Sequence, residues 1–177
     1  PIQKKTIPLS LAGHDVMGIA QTGTGKTAAF VLPLIMKLKY AQGNDPRALI
    51  IAPTRELVLQ IDESVGKYCT YTDLRHTALY GGTGMKAQEE SMTNGMDLIV
   101  ATPGRFMDLY RKGTFGTKQI KTFIIDEADK MMDMGFMPQI RKILEIIPVK
   151  RQNLLFSATM SEIVEKLSVE FLEFPKK

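Results

Sequence analysis

Six short apolar segments alternate with helix-length segments along this chain, and this alternation constrains the fold more than any other feature. The apolar segments are continuous, which is typical of strands that are covered on both faces. Strands separated by helices pair in parallel, because a parallel connection must cross over the sheet. The predicted strands span residues 15–20, 48–53, 77–80, 97–101, 122–126 and 153–157.

The segments between the predicted strands have helical periodicity. In residues 54–69 the apolar side chains recur every three or four positions and form one face of an amphipathic helix. We therefore expect an α/β fold of three layers, in which helices cover both faces of a parallel sheet and ligands bind at the carboxyl ends of its strands. The other predicted helices span residues 26–40, 83–92, 103–111, 137–147 and 161–171.

Size and composition limit the classes of partner. With 177 residues the chain is long enough for one domain with a sizeable core. Its net charge of +4 and pI near 9.1 point only weakly to a polyanionic partner. The chain has no Trp and only 7% aromatic residues, so we expect a bound nucleic acid to be held by its backbone rather than by stacked bases.

Cysteine usage and hydropathy indicate the compartment. Cys69 is the only cysteine in the sequence, which excludes an internal disulfide and a cluster of cysteine metal ligands. No apolar stretch reaches the roughly 18 residues of a membrane span, and the first residues lack the pattern of a signal peptide. We expect a cytoplasmic protein with no membrane partner, or a nuclear one in a eukaryote.

The sequence AQTGTGKT, between the first predicted strand and the first predicted helix, matches the phosphate-binding P-loop with Ala20 in place of the first glycine. Gly23 and Gly25 allow the backbone N–H groups to turn inward around an anion, and the helix N-terminus adds partial positive charge. Lys26 is expected to reach the phosphates and Thr27 to bind Mg²⁺. The alternative is a flexible Gly-Thr linker.

A P-loop requires a carboxylate close to its metal ion. The segment TFIID is an apolar strand that ends at Asp126, and Glu127 follows directly. Asp126 is expected to hold Mg²⁺ through its water shell, and Glu127 to orient and deprotonate an attacking water. This arrangement favours hydrolysis over transfer to a second substrate. Read alone, an Asp-Glu pair also commonly opens a helix.

Two arginines follow predicted strand ends in similar surroundings, in APTREL and ATPGRF. Arg55 and Arg105 each stand in a first helical turn, where a cation faces the positive end of the helix dipole. Together with Thr54, Thr102 and the glycines at 81–82, they suit the oxygens of an external phosphodiester. The alternative is that the threonines cap helices or form turns and that the arginines pair with Glu56, Asp108 or other acids.

In combination these segments closely resemble the N-terminal RecA-like domain of the DEAD-box RNA helicases. They occur in the order of that family and cover essentially the whole chain, which makes the combination highly specific. The segments that carry the resemblance are IQ, IP and GHD within residues 2–15, AQTGTGKT at 20–27, PTREL at 53–57, GG at 81–82, TPGR at 102–105, DEAD at 126–129 and SAT at 157–159.

The resemblance implies ATP and Mg²⁺ as ligands. Gln3 then reads the adenine edge, whereas without the family it would be a surface glutamine on a short helix. Asp129 then bonds to Ser157 and Thr159 and links the nucleotide site to RNA-dependent movement. The implied nucleotide-binding residues are Gln3, Ala20, Thr22, Gly23, Thr24, Gly25, Lys26 and Thr27; the implied catalytic residues are Lys26, Asp126, Glu127, Asp129, Ser157 and Thr159; Thr27 and Asp126 bind the metal.

The resemblance also implies binding of the RNA sugar-phosphate backbone without regard to base sequence. The chain would be the ATP-binding half of an RNA-dependent ATPase that remodels or locally unwinds RNA duplexes. An ATP-gated RNA clamp or scaffold is the alternative, and a motor acting on DNA is disfavoured by the DEAD segment and Gln3. The implied RNA-binding residues are Pro53, Thr54, Arg55, Glu56, Gly82, Thr102, Pro103, Gly104 and Arg105.

Two parts of the family pattern lie outside this sequence. One is an aromatic residue upstream of Gln3 that stacks on adenine, and the other is the second RecA-like domain with its arginine fingers. An arginine finger contributes about 10³–10⁵ in rate in P-loop enzymes. We therefore expect residues 1–177 to form one monomeric domain that binds adenine nucleotide, barely hydrolyses it and unwinds nothing.

Overall fold

The computed structural model describes residues 2–21 and 25–172, and in this part of the chain the six predicted strands form one parallel sheet in the order β1-β6-β5-β2-β4-β3. The predicted α/β fold is therefore confirmed. All strands except β3 are fully or largely buried, as their apolar sequences predict. The strands are β1 (Val16–Ile19), β2 (Ala48–Ile51), β3 (His76–Leu79), β4 (Leu98–Ala101), β5 (Thr122–Ile125) and β6 (Gln152–Ser157).

Helices cover both faces of the sheet and produce two separate apolar clusters. Side chains of α2 and α3 pack on one face with alternate residues of the strands, and α1 packs against α2. Side chains of α4 to α8 pack on the other face. No helix of the described ranges is long and apolar enough to cross a membrane. The helices are α1 (Ile2–Leu11), α2 (Lys26–Leu38), α3 (Arg55–Tyr68), α4 (Lys86–Thr93), α5 (Pro103–Arg111), α6 (Ala128–Asp133), α7 (Met137–Ile146) and α8 (Glu162–Phe171).

The structure differs from the sequence-based boundaries mainly at element ends. The strand expected to reach residue 53 ends at Ile51, because Pro53 has no N–H to donate to a neighbouring strand. Helix α4 begins at Lys86, two residues after Gly84, rather than at residue 83. Helix α1 is absent from the periodicity-based set because it contains Pro8 and has no clear apolar face.

The pairing of β1 with β6 brings distant segments together at the carboxyl edge of the sheet. Ile19 lies in register with Ser157, and the N–H of Ala20 donates to the Ser157 carbonyl at 3.0 Å. The buried Phe156 ring of β6 lies directly against Gly18 in β1, where a Cβ would be only 2.7 Å from the ring, so this packing requires glycine. The start of the predicted phosphate-binding loop is thereby joined to the SAT segment.

A buried carboxylate organises the opposite edge of the sheet. Asp97, which precedes β4 and is fully buried, accepts hydrogen bonds from Arg75 Nε at 3.1 Å and from Arg47 Nη2 at 3.0 Å. The backbone N–H groups of Arg75 and Gln42 also donate to it. Burial raises the pKa of Asp97, but the donors outweigh burial and lower this pKa to about 2. This cluster anchors the loop before β2 and the starts of β3 and β4.

Candidate functional site

The predicted phosphate cradle borders a cavity of about 370 Å³ at the carboxyl edge of the sheet. Gly25 is the N-cap of α2 and has φ +78°, a left-handed conformation that glycine adopts without strain. The predicted residues Thr22, Gly23 and Thr24 lie outside the described residues. The structure places six of the other predicted residues around this cavity: Gln3, Gly25, Lys26, Thr27, Asp126 and Glu127.

A buried ion pair forms the floor of the cavity. Nζ of Lys26 lies 2.8 Å from Oδ1 of Asp126, and the two side chains are only 6% and 1% exposed. The pKa of Asp126 is raised overall, because burial outweighs the Lys26 ammonium and the N–H of Glu127, which both lower it. Asp126 Oδ2 is buried without a hydrogen-bond partner among the described residues.

This floor fits a hard divalent cation. Mg²⁺ is usually held by one or two carboxylates together with waters and substrate phosphates, rather than by a cage of protein ligands. Residues 2–21 and 25–172 contain no group of three or more His, Cys, Asp or Glu side chains that could hold a metal ion. Asp126, which has a buried and unpartnered oxygen and lies next to the Lys26 ammonium, and Thr27, which has a hydroxyl, are two of the residues with oxygen ligands that border the cavity.

Glu127 has a strained backbone at the edge of this cavity. It is the N-cap of α6 with φ 51° and ψ 52°, and it is one of two non-glycine residues with positive φ among those described. A left-handed conformation costs roughly 1–2 kcal/mol for a residue with a Cβ. The N–H of Glu127 donates to Oδ1 of Asp126 at 2.9 Å, which helps to hold the turn. Strain of this kind is concentrated at functional sites.

Gln3 lies against the cradle rather than on an unrelated surface. Its Nε2 donates to the carbonyl of Gly25, the N-cap of α2, at 3.1 Å, although Gln3 itself lies in α1. A Cβ at Gly25 would lie 2.4 Å from Gln3 Nε2, so any larger residue here would displace the Gln3 amide from the cradle. The α1 helix therefore brings an amide with both donor and acceptor capacity to the rim of the cavity.

The DEAD and SAT segments contact each other directly. The Thr159 hydroxyl donates to Asp129 Oδ2 at 3.1 Å, and the Asp129 N–H donates to Ser157 Oγ at 3.3 Å. The Ser157 hydroxyl donates in turn to the Thr159 carbonyl at 2.8 Å. Burial raises the pKa of Asp129, but the hydrogen bonds that it accepts outweigh burial, and the net pKa is lowered. The segments that follow β5 and β6 thus form one polar unit.

A second concavity, of about 380 Å³, is lined by several of the residues predicted to hold an external phosphodiester. It lies at the same edge of the sheet, after β2, β3 and β4. A Cβ at Gly82 would lie 4.0 Å from Nη1 of Arg55, so the Gly-Gly turn borders this groove. We call this concavity the basic groove; its lining includes Pro53, Arg55, Gly81, Thr102, Gly104 and Arg105, and Thr54, Glu56, Gly82 and Pro103 adjoin them in the chain.

The two threonines of the basic groove differ in their contacts, and so do its two arginines. The Thr54 oxygen accepts from the Leu57 N–H at 3.2 Å and so caps α3, whereas Thr102 makes no side-chain cap bond. The Arg55 guanidinium lies 5.1 Å from the centre of the Tyr80 ring. Arg105 donates to the Thr83 carbonyl at 2.9 Å. The cap alternative thus holds for Thr54, whose hydroxyl still has one proton to donate.

Several residues of the two sites are absent from the sequence-based predictions. Asp108 and Phe136 also line the basic groove, and Gln88 and Tyr80 contact its arginines. The helical spacing of the α3 residues was a usable signal, since they recur every three or four positions along one face. The α3 residues that line the first cavity are Leu57, Gln60, Ser64 and Tyr68.

The chain is similar to known helicases along nearly its whole length. It is 45% identical over 176 residues to the ATP-dependent RNA helicase CshA of Listeria monocytogenes, covering 99% of this chain and 34% of that protein. It is 43% identical over 185 residues to the human probable ATP-dependent RNA helicase DDX4, covering 98% of this chain and 26% of that protein. The chain thus spans about a third or less of the length of these relatives.

The fold has a solved counterpart in the same family. The crystal structure of a DEAD box protein from the hyperthermophile Methanococcus jannaschii superimposes with a TM-score of 0.92 at 36% sequence identity. The match covers 99% of this chain and 48% of that one. A family model described as DEAD/DEAH box helicase matches residues 1–167 of the 177. With its sequence, its fold and its relatives in agreement, the chain belongs to the DEAD/DEAH box helicase family.

Proposed function

We propose that this chain is the ATP-binding half of an RNA-dependent ATPase that remodels or locally unwinds RNA duplexes. The buried Lys26–Asp126 pair beneath the cavity is the observation that carries the proposal, because a cation and a metal-binding carboxylate meet there at 2.8 Å. The names of the relatives, which are ATP-dependent RNA helicases, support the same activity.

In this proposal the first cavity holds the triphosphate and the adenine. Lys26 binds phosphate oxygens as a point charge, and the N-terminus of α2 adds backbone N–H groups and dipole charge. The Gln3 amide, already at the rim, pairs with the adenine edge, which selects ATP over GTP. Ala20, Thr22, Gly23, Thr24 and Gly25 supply the remainder of the loop.

Thr27 and Asp126 are the proposed metal ligands. Mg²⁺ held by these two residues would neutralise the negative charge that develops during phosphoryl transfer. The Lys26 ammonium lies 2.8 Å from Asp126 Oδ1, so the proposed phosphate-binding cation and the proposed metal ligand are direct neighbours.

Glu127 is the proposed base for hydrolysis. Its left-handed backbone turns the residue directly after the metal ligand toward the same cavity. From there a carboxylate can orient a water for in-line attack and accept its proton. Asp129, Ser157 and Thr159 form the polar unit that we propose to couple this site to the movement of RNA.

The basic groove is the proposed RNA site. Arg55 and Arg105 carry positive charge to it, and the backbone of the Gly-Gly turn and the start of α5 can approach a phosphate closely. Contacts to phosphates and sugars are independent of base sequence. We also propose that the whole protein carries a second RecA-like domain, which supplies arginine fingers and the other half of the RNA site.

Nucleotide binding is the first test of this function. A fluorescent ATP analogue titrated into the purified chain with Mg²⁺ is expected to bind, unlabelled ATP to displace it, and GTP to displace it poorly. Gln3→Ala should reduce the preference for ATP, and Arg141→Ala on the surface of α7 is the control. Equal displacement by ATP and GTP would contradict the role of Gln3, and no Mg²⁺-dependent binding would contradict the proposal.

ATP hydrolysis is the second test, because the chain and the whole protein are expected to differ in turnover. The chain alone is expected to hydrolyse ATP barely, because arginine fingers contribute about 10³–10⁵ in rate. The whole protein should show RNA-stimulated turnover that Glu127→Gln abolishes while nucleotide affinity is preserved. Appreciable RNA-stimulated turnover by the isolated chain would show that no second domain is needed, and unchanged turnover in the Glu127→Gln protein would exclude Glu127 as the base.

A further inference from the structure

We propose that Gln88 is a positioning residue for RNA binding, because its buried side-chain amide holds both arginines of the basic groove in place. This inference rests on the proposed RNA site. Gln88 lies in the first turn of α4, outside every segment that identified the family, and is only 9% exposed. A buried amide has four hydrogen-bonding positions to satisfy, so its partners report what it holds.

The Gln88 amide continues the sheet beyond its edge strand. Gln88 Nε2 donates to the Tyr80 carbonyl at 3.1 Å, and Gln88 Oε1 accepts from the Tyr80 N–H at 3.3 Å. This pair of bonds imitates the exchange between neighbouring strands, at the point where β3 has ended and lies at the edge of the sheet. The same Nε2 also reaches Thr83 Oγ1 at 3.4 Å. One side chain therefore ties down both ends of the Gly-Gly turn.

The same amide orients Arg105. Gln88 Oε1 accepts from Arg105 Nη1 at 3.2 Å, and the second guanidinium nitrogen, Nη2, donates to the Thr83 carbonyl at 2.9 Å. The Arg105 guanidinium is thus oriented by two hydrogen bonds, one to Gln88 itself and one to Thr83, whose hydroxyl Gln88 contacts. Both contacts are neutral acceptors, so the full positive charge of Arg105 remains for an incoming phosphate.

Gln88 also positions Arg55, but indirectly, through Tyr80. Its guanidinium lies over the Tyr80 ring at 5.1 Å, within the range of a cation–π contact. The backbone of Tyr80 is the group that Gln88 holds on both its N–H and its carbonyl. Loss of the amide would therefore loosen the Tyr80 backbone beneath Arg55 and remove a hydrogen-bond acceptor from Arg105.

Three variants of the whole protein test this role by RNA affinity. Gln88→Met keeps the length of the side chain but cannot form its hydrogen bonds, and we expect single-stranded RNA to bind about tenfold more weakly, with nucleotide affinity within about twofold of the parent. Gln88→Glu places a carboxylate on Arg105 and should also lower the salt dependence of RNA binding by about one phosphate contact. Gln152→Met, which removes another buried amide far from the groove, should destabilise the protein without this loss of RNA affinity.

A background that lacks both arginines distinguishes positioning from general destabilisation. In Arg55→Ala/Arg105→Ala protein, Gln88→Met should cause a much smaller further loss of RNA affinity, because most of its effect passes through those side chains and only its effect on the Gly-Gly turn remains. A full additional loss in this background, or an unaltered affinity of Gln88→Met in the parent, would overturn the inference. Should Gln88→Met not fold, the same comparison is made with Gln88→Glu. If removal of both arginines leaves RNA affinity unchanged, the proposed RNA site itself is wrong.

Discussion

The Nζ atom of Lys26 lies 2.8 Å from Oδ1 of Asp126 in a region where both side chains are almost fully buried. Breaking such a pair on one side leaves an uncompensated buried charge, whereas removing both charges does not. Lys26→Met is expected to lower the unfolding free energy by about 3 kcal/mol, and Lys26→Met/Asp126→Asn to recover most of it. Neither variant should bind nucleotide. Urea denaturation of the three proteins measures this, and equal stability of Lys26→Met and the parent would contradict it.

The left-handed backbone of Glu127 is expected to lower the unfolding free energy of the protein. Replacing it by glycine removes a Cβ from a left-handed backbone, and the gain should exceed the added entropy of the unfolded chain, for a net increase of about 0.5–1 kcal/mol in unfolding free energy. Glu127→Gln retains the Cβ and should not show this increase. Thermal unfolding of the two variants compares them directly. A less stable Glu127→Gly protein would mean that the Glu127 side chain contributes more to folding than its backbone costs.

The arginines of the basic groove are expected to contribute to RNA affinity through phosphate contacts. Each of Arg55→Ala and Arg105→Ala should reduce the slope of log affinity against log salt by about 0.7, the value for one phosphate contact on a single strand. The loss of affinity should be the same for RNAs of different base sequence. Arg141→Ala, which removes an exposed partner of Glu170 elsewhere on the surface, should leave the slope unchanged. A loss confined to particular sequences would indicate base contacts instead.

Asp97 is expected to make the protein sensitive to acid. Its carboxyl has a pKa of about 2 in the folded protein against an ordinary 3.8, so the unfolded chain takes up the proton first as the pH falls. The stabilisation is complete above about pH 4 and disappears toward pH 2, and it amounts to about 2 kcal/mol. Asp97→Asn should be less stable at neutral pH and should lose less stability over this interval. Parallel losses in the two proteins would exclude Asp97 as the cause.

His76 is expected to act in the opposite sense at higher pH. Its Nδ1 lies 2.7 Å from Asp62 Oδ1, and this hydrogen bond raises the pKa of the imidazole although burial opposes it. A raised pKa stabilises the folded state fully below the unfolded value of about 6.5, and the effect is lost as the pH rises through the folded value. The unfolding free energy should therefore fall above about pH 6.5, and Asp62→Asn should remove this fall. An unaltered pH profile in the variant would contradict the assignment.

The sequence predicted the sheet and most of the candidate nucleotide site because both depend on local patterns. Each strand is a continuous apolar segment, and most of the predicted site residues lie at or just after the end of a strand, at the edge where parallel strands end; Gln3, on α1, is an exception and was predicted only by the family resemblance. The expected contact of Asp129 with the SAT segment is present, with one detail that no pattern reveals. The Asp129 backbone N–H, in addition to its carboxylate, participates, because the first turn of α6 has free N–H groups.

The sequence by itself thus determined the family, the strand-helix order and the placement of chemical groups at strand ends, since these are properties of neighbouring residues. Only the tertiary structure decided which of those groups touch. Gln88 on α4 meets Tyr80 and Arg105 because β3 and β4 pair at the edge of the sheet, and Asp97 meets Arg75 for the same reason. Contacts across the sheet depend on strand order, which sequence periodicity does not encode.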